Sequence, residues 1–251
     1  VRGFRGKSHA NPIGTATSEI PGTLSEMVIY SCISRRSNDC MKIEFVYWFI
    51  FLLIAILCSS FLHEVGHGLS AYIKDQPVST GFNKVGDYNK SPGDNNFRKN
   101  HKDYKNPWDI GPFLTLSLAI IFTYLLFQVN NKFSIFLFGS LAFSNSFLRL
   151  IPMIGSYYSL ITRGNLVLED EIAMGTLWYQ MTDIFLLKYV PSFISIIVSA
   201  ICLKYILKAL KMKIPELFSY AWSFAVISIS SLMVALPIIK FLDKHLRINW
   251  G

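Results

Sequence analysis

His63, Glu64 and His67 form an HExxH motif, His63-Glu64-Val65-Gly66-His67. On a helix, residues four apart lie on the same side, so both imidazoles can reach one metal ion. Glu64 follows His63 directly and can reach a water held at that ion. Zinc lowers the pKa of such a water toward neutrality, and a glutamate can take its proton during attack on a carbonyl. The chemistry implied is hydrolysis, most often of a peptide bond. A lone histidine on an apolar helix is ordinarily a core residue. Two histidines at this spacing around a glutamate are costly to bury unless something coordinates or pairs with them.

The element that positions the motif is an uncharged apolar run, Phe45 to Leu62, which HExxH continues almost without a break. Of the 251 residues, 52% are hydrophobic and 16% charged, against about 25% charged in ordinary soluble domains. Five segments approach the roughly 20 apolar residues that a membrane span needs. They lie near 45–62, 112–129, 133–150, 184–203 and 217–239. The expected fold is all-α, a polytopic helical membrane protein of about five transmembrane helices around a zinc site. Residues 130–132 predict a tight turn and an antiparallel hairpin of the second and third spans. Residues 74–111 form one long polar connection, within which Pro77–Phe82 reads as a short strand. Residues 1–40, polar and rich in Gly and Ser, read as a poorly structured extension without the apolar region of a secretory signal. Residues 41–251 read as a single membrane domain.

The net charge of +8 comes from basic residues at the span ends, such as Arg35, Arg36, Lys204, Lys208, Lys240 and Lys244. That pattern selects lipid headgroups, not nucleic acid, as the partner. Lys and Arg flank the spans on both sides, so charge sets no orientation. The four cysteines, Cys32, Cys40, Cys58 and Cys202, include no CxxC pair. They indicate neither a disulfide scaffold nor a cysteine zinc site, and nothing in the sequence favours a disulfide between Cys32 and Cys40.

A catalytic zinc site takes three protein ligands and a water. The other histidines, His9, His101 and His245, lie in polar or terminal segments, which turns the search toward a carboxylate. Glu169, Asp170, Glu171 and Asp183 are candidates, with Asp109 behind them. If 166–181 is a helix, Leu166, Ala173, Met174, Leu177 and Met181 share a face at about 100° per residue. Asp170 falls in the middle of that face, Glu169 on the polar side and Glu171 at the margin. Asp170 is therefore the expected third ligand and Glu171 its rival. The other reading pairs Asp170 with Arg149 or Arg163.

An HExxH motif at the end of an apolar helix with a distal acidic ligand resembles the site-2 protease family of intramembrane zinc metalloproteases. Gly111-Pro112-Phe113-Leu114-Thr115 is similar to the family's GPxxN element, with Thr115 in place of Asn. Asn145 and Pro152 resemble the Asn and Pro of its NxxPxxxLDG region. The chain has no LDG, and its nearest equivalent is Leu168-Glu169-Asp170-Glu171. Over residues 45–180 the resemblance implies a core of three spans carrying the site. It also implies zinc as cofactor and a membrane-embedded helix of another protein as substrate. It suggests that Asn145 hydrogen-bonds an unwound substrate backbone; a helix–helix hydrogen bond is the equal alternative. Arg149, on the same face as Asn145, either anchors a carboxylate of the acidic cluster or sits at the lipid interface. The strand near Pro77–Phe82 could hold substrate in extended form by edge pairing. Competing functions are a membrane-anchored zinc protease acting on water-exposed substrates, a membrane di-iron oxidase, and a non-enzymatic metal-binding protein or inactive relative. HExxH directly continuing an apolar span disfavours the first, and five histidines in all are too few for the second. The intact Glu64 argues against the third.

Overall fold

The protein is described by a computed structural model covering residues 24–89, 108–167, 169–219 and 222–251, with side chains described from residue 43 onward. His9, His101, most of the polar connection and the side chains of Cys32 and Cys40 lie outside the described residues. Two compact units are present, Val1–Cys40 and Met41–Gly251. The described part of the first is helical, residues 24–40, where the sequence suggested little structure.

The order of elements is α1 (Leu24–Ile73), β1 (Val78–Thr80), β2 (Val85–Asp87), α2 (Ile110–Gln128), α3 (Lys132–Arg163), α4 (Asp170–Thr182), α5 (Val190–Lys213), α6 (Ser223–His245) and β3 (Ile248–Trp250). Five helices are long and apolar enough to cross a membrane: residues Ile43–Ile73 of α1, together with α2, α3, α5 and α6. This is the architecture of a polytopic helical membrane protein. A helix satisfies its own backbone groups, which lipid cannot do. The surfaces the helices turn outward are apolar, with Ile54, Ile120, Ile197, Ile229 and Met233 all exposed.

The core joins Trp48, Leu52 and Ile56 of α1 to Phe136 and Phe143 of α3 and Ile206 of α5. Trp48 donates its indole N–H to Ser228 Oγ of α6 at 3.1 Å. Much of the remaining helix contact is made by serine. Ser59 of α1 meets Ser144 of α3 Oγ to Oγ at 2.7 Å, and Ser140, Ser195, Ser199 and Ser231 are fully buried. Small hydroxyl residues let helices approach closely where hydrophobicity cannot distinguish protein from lipid.

Helix ends follow local chemistry. Asn131 caps α3, its side chain accepting from Ser134 N at 2.8 Å, after the short turn that makes α2 and α3 a hairpin. Gly164 ends α3 with φ 68°, a conformation glycine adopts without strain. Lys213, at the end of α5, donates to the α2 carbonyls of Phe127, at 3.0 Å, and of Val129.

The observed helices depart from the expected spans at their ends. The first continues through the HExxH motif to Ile73, and the third runs through Pro152 to Arg163. The fourth and fifth start later, at Val190 and Ser223, each after a one-turn 3-10 segment, Phe185–Lys188 and Pro215–Phe218. An apolar run reports immersion, whereas a helix continues as long as its backbone bonds do.

Two strands of the polar connection, β1 and β2, join β3 from the end of the chain in a small antiparallel sheet of order β2-β1-β3. β1 falls inside the expected strand Pro77–Phe82. It pairs with β2 on one side and β3 on the other, so both edges are filled. An added substrate strand would have to pair with β2 or β3, not with β1 as the sequence suggested. Asp243 of α6 accepts from Asn83 N at 2.7 Å and fixes the turn between β1 and β2. Trp250 donates to Thr80 Oγ1 at 2.8 Å, and a Cβ on Gly68 would lie 2.2 Å from its ring. The sheet thus rests on the last turns of α1, immediately beyond His67.

Candidate metal centre

His63, Glu64 and His67 lie on the buried side of α1, near its end. The adjoining face carries Gly66, and its lack of a side chain sets the geometry. A Cβ there would lie 2.7 Å from Gly111 Cα, so α1 and the start of α2 meet backbone to backbone. A Cβ on Gly111 would in turn lie 2.9 Å from His67 Cε1 and 3.0 Å from His63 O. Ser70 Oγ accepts from Ile110 N at 2.6 Å and holds the same junction.

This contact delivers Asp109, the N-cap of α2, to His67. Its carboxylate accepts from its own helix at Gly111 N, 3.2 Å, and its two oxygens lie 2.8 and 2.7 Å from His67 Nδ1. A carboxylate accepts, so His67 Nδ1 donates, and in the neutral tautomer Nε2 is the nitrogen that can ligate a metal. Asp109, ranked last among the ligand candidates, is therefore the partner of a candidate ligand. A carboxylate behind a metal-bound histidine orients the ring and raises its basicity, and losing such a partner costs about 10–100-fold in metal affinity. Asp109→Ala is expected to weaken metal binding by that factor, as read by chelator competition. Unchanged affinity would remove Asp109 from the site.

The acidic segment arrives from α4. Asp170 Oδ2 lies 2.9 Å from His63 Nε2 and 3.5 Å from His67 Nε2, and the two Nε2 atoms are 3.0 Å apart. A tetrahedral ion with bonds of about 2.0–2.1 Å sets its ligands about 3.3 Å apart, close to this triangle. His63 Nδ1 is buried and lacks a hydrogen-bond partner. Among the described residues, His63, His67 and Asp170 form the group that could hold a metal ion. Burial opposes the charged form of Asp170, yet the two histidines hold its carboxyl well below the usual carboxylate range.

Asp170 reaches the site by a different route from the one expected. It is the first residue of α4, preceded by extended Glu169, and not the middle of a helix that starts at Leu166. The expected apolar face is buried only in part: Met174 is buried, but Ala173 and Met181 are exposed, and the other buried residues, Glu171, Ile172 and Gly175, lie off that face. Packing is dictated by Gly175, where a Cβ would lie 2.1 Å from Lys188 O. Beside lipid, apolar residues need not point inward, and the small residue marks the contact. Trp108 and Trp178, with ring centroids 5.3 Å apart, join the lead-in to α2 to α4.

Glu171 is not in the metal group. It is 1% exposed and accepts from Ser195 Oγ of α5 at 2.9 Å. Burial pushes its carboxyl up, against the pull of Arg149. Arg149 Nη1 stands 3.4 Å from Asp170 Oδ2 and 3.7 Å from Glu171 Oε1. It is thus the anchor of the acidic cluster and not a lipid-facing residue. Glu64 is buried and acts electrostatically on the same guanidinium. Asn145 is 1% exposed, donates to Leu141 O of its own helix at 2.8 Å, and keeps Oδ1 without a partner. Thr115 bonds back to Gly111 O and Pro112 O and serves its own helix turn.

No protein-family model, curated protein or solved structure matches this chain. The likeness to the site-2 protease family rests on its motifs alone.

Proposed function

We propose that the protein is a zinc-dependent intramembrane endopeptidase that cleaves a transmembrane segment of another protein. The observation carrying this reading is the convergence of His63 Nε2, His67 Nε2 and Asp170 Oδ2 within 2.9–3.5 Å of one another, with both histidines on a helix long and apolar enough to cross a membrane. His63 and His67 directly continue the apolar run Phe45–Leu62 on the helix segment Ile43–Ile73, which is long and apolar enough to cross a membrane.

Two imidazoles and a carboxylate suit several first-row metals. The adjoining Glu64 supplies the base that favours zinc hydrolysis over redox chemistry. Zinc, when bound, acts as a Lewis acid that acidifies water and polarises a carbonyl. His63, His67 and Asp170 would hold the ion, and Asp109 would keep His67 in the ligating tautomer. Glu64 takes a proton from the attacking water as its oxygen bonds to the scissile carbonyl carbon. The C–N bond then breaks, and the same carboxylic acid returns the proton to the leaving amine. Arg149 offsets part of the negative charge that Glu64, Asp170 and Glu171 gather in an apolar setting.

The test is cleavage of a labelled single-span substrate by purified protein in detergent. Metal removal with a phenanthroline chelator is expected to abolish cleavage, and one equivalent of zinc to restore it. Cleavage that survives complete metal removal would refute the reading.

A further inference from the structure

The metal reading leaves a buried triad unexplained: Arg149 of α3, Glu171 of α4 and Ser195 of α5. The Arg149 Nη1 atom faces Asp170 Oδ2 at 3.4 Å, the same oxygen that lies 2.9 Å from His63 Nε2. A guanidinium is a competitor for a ligand oxygen. It is permanently charged and matches carboxylates bidentately, so an Arg149 free to settle on Asp170 would occupy the lone pairs a metal needs. Glu171 counters this. It sits on the other side of Nη1 at 3.7 Å, fully buried, with its Oε1 held by Ser195 Oγ at 2.9 Å. Ser195 is itself fully buried on α5, so the restraint is anchored on a different membrane helix from the ligand. Arg149 Nε and Glu171 Oε2 are both buried and without hydrogen-bond partners. The guanidinium is therefore shared: Nη1 donates to Asp170 Oδ2 across a long 3.4 Å and lies 3.7 Å from Glu171 Oε1, while Nε bonds neither carboxylate.

We infer that Glu171 is a positioning residue: with Ser195 it limits the hold of Arg149 on Asp170 Oδ2 to that single long hydrogen bond and so leaves the oxygen able to take a metal. The adjacent carboxylates then divide the work, Asp170 binding the ion and Glu171 restraining the cation beside it. The inference rests on the metal reading above. It gives the rival ligand candidate a separate role at the same site.

The test is a double-mutant cycle read as Zn2+ affinity by chelator competition in detergent micelles. Glu171→Gln keeps the shape and the Ser195 bond but removes the charge that attracts Arg149. It is expected to weaken Zn2+ binding by about 10–100-fold, the range for partners behind a ligand. In an Arg149→Met background the same substitution is expected to have no effect, because Glu171 acts only through the guanidinium. An equal loss in both backgrounds would mean a direct charge effect on the ion and would overturn the inference. So would undiminished affinity in Glu171→Gln. Should Arg149→Met fail to fold, Ser195→Ala serves as the second variant. It is expected to shift affinity in the same direction by a smaller factor, and no shift would also overturn the inference. If the parent protein binds no Zn2+, the metal reading fails, and this inference fails with it.

Discussion

Glu64→Gln is expected to bind zinc with the affinity of the parent while losing at least about 100-fold in cleavage rate, the lower end of what a positioned general base contributes. The side chains that could hold a metal ion are His63, His67 and Asp170; Glu64 is not among them. Gln has nearly the same shape as Glu and fits the same buried position. It cannot accept the proton of an attacking water. Metal content and the cleavage rate of a single-span substrate, measured on the same preparation, separate binding from chemistry. Retained cleavage would dismiss Glu64 as the base. Lost zinc would mean that Glu64 maintains the site and does not act on the substrate.

Asp170→Ala is expected to lose zinc more severely than Asp109→Ala, beyond the roughly 100-fold upper range for partners behind a ligand, and to lose cleavage with it. The substitution removes the one carboxylate oxygen that meets both Nε2 atoms. It also frees Arg149, whose nearest acceptor is that same oxygen. The two histidines would then face a cation with no anionic ligand between them. Excess zinc should recover little cleavage. Zinc affinity equal to that of the parent would exclude Asp170 as a ligand.

The helical membrane architecture was legible because a span is written as a continuous apolar run, and five such runs correspond to five helices long and apolar enough to cross a membrane. Their ends were not legible, since α1 and α3 carry on past the apolar stretch. HExxH was legible because its geometry is local to one turn of helix. The approach of Asp170 is a contact 107 residues away in sequence. Periodicity selected Asp170 on a face that is buried only in part, at Met174 but not at Ala173 or Met181. Gly175, against the Lys188 carbonyl, marks the contact. Asp109 carried a readable signal that was underused. An aspartate just before Ile110-Gly111-Pro112 has the form of a helix N-cap, and a capped, fixed carboxylate is a natural partner for a metal-bound histidine. β3 carried no such signal. Three residues pairing with a strand some 170 positions earlier are set by tertiary packing.

X-ray absorption at the zinc edge, on protein loaded with one equivalent of zinc and washed free of excess, tests the central claim most directly. The account predicts a shell of nitrogen and oxygen only, at about 2.0–2.2 Å, with the outer-shell scattering of two imidazoles. Loss of one imidazole should follow His63→Ala or His67→Ala. Failure to retain zinc, or a sulfur shell at about 2.3 Å, would contradict it.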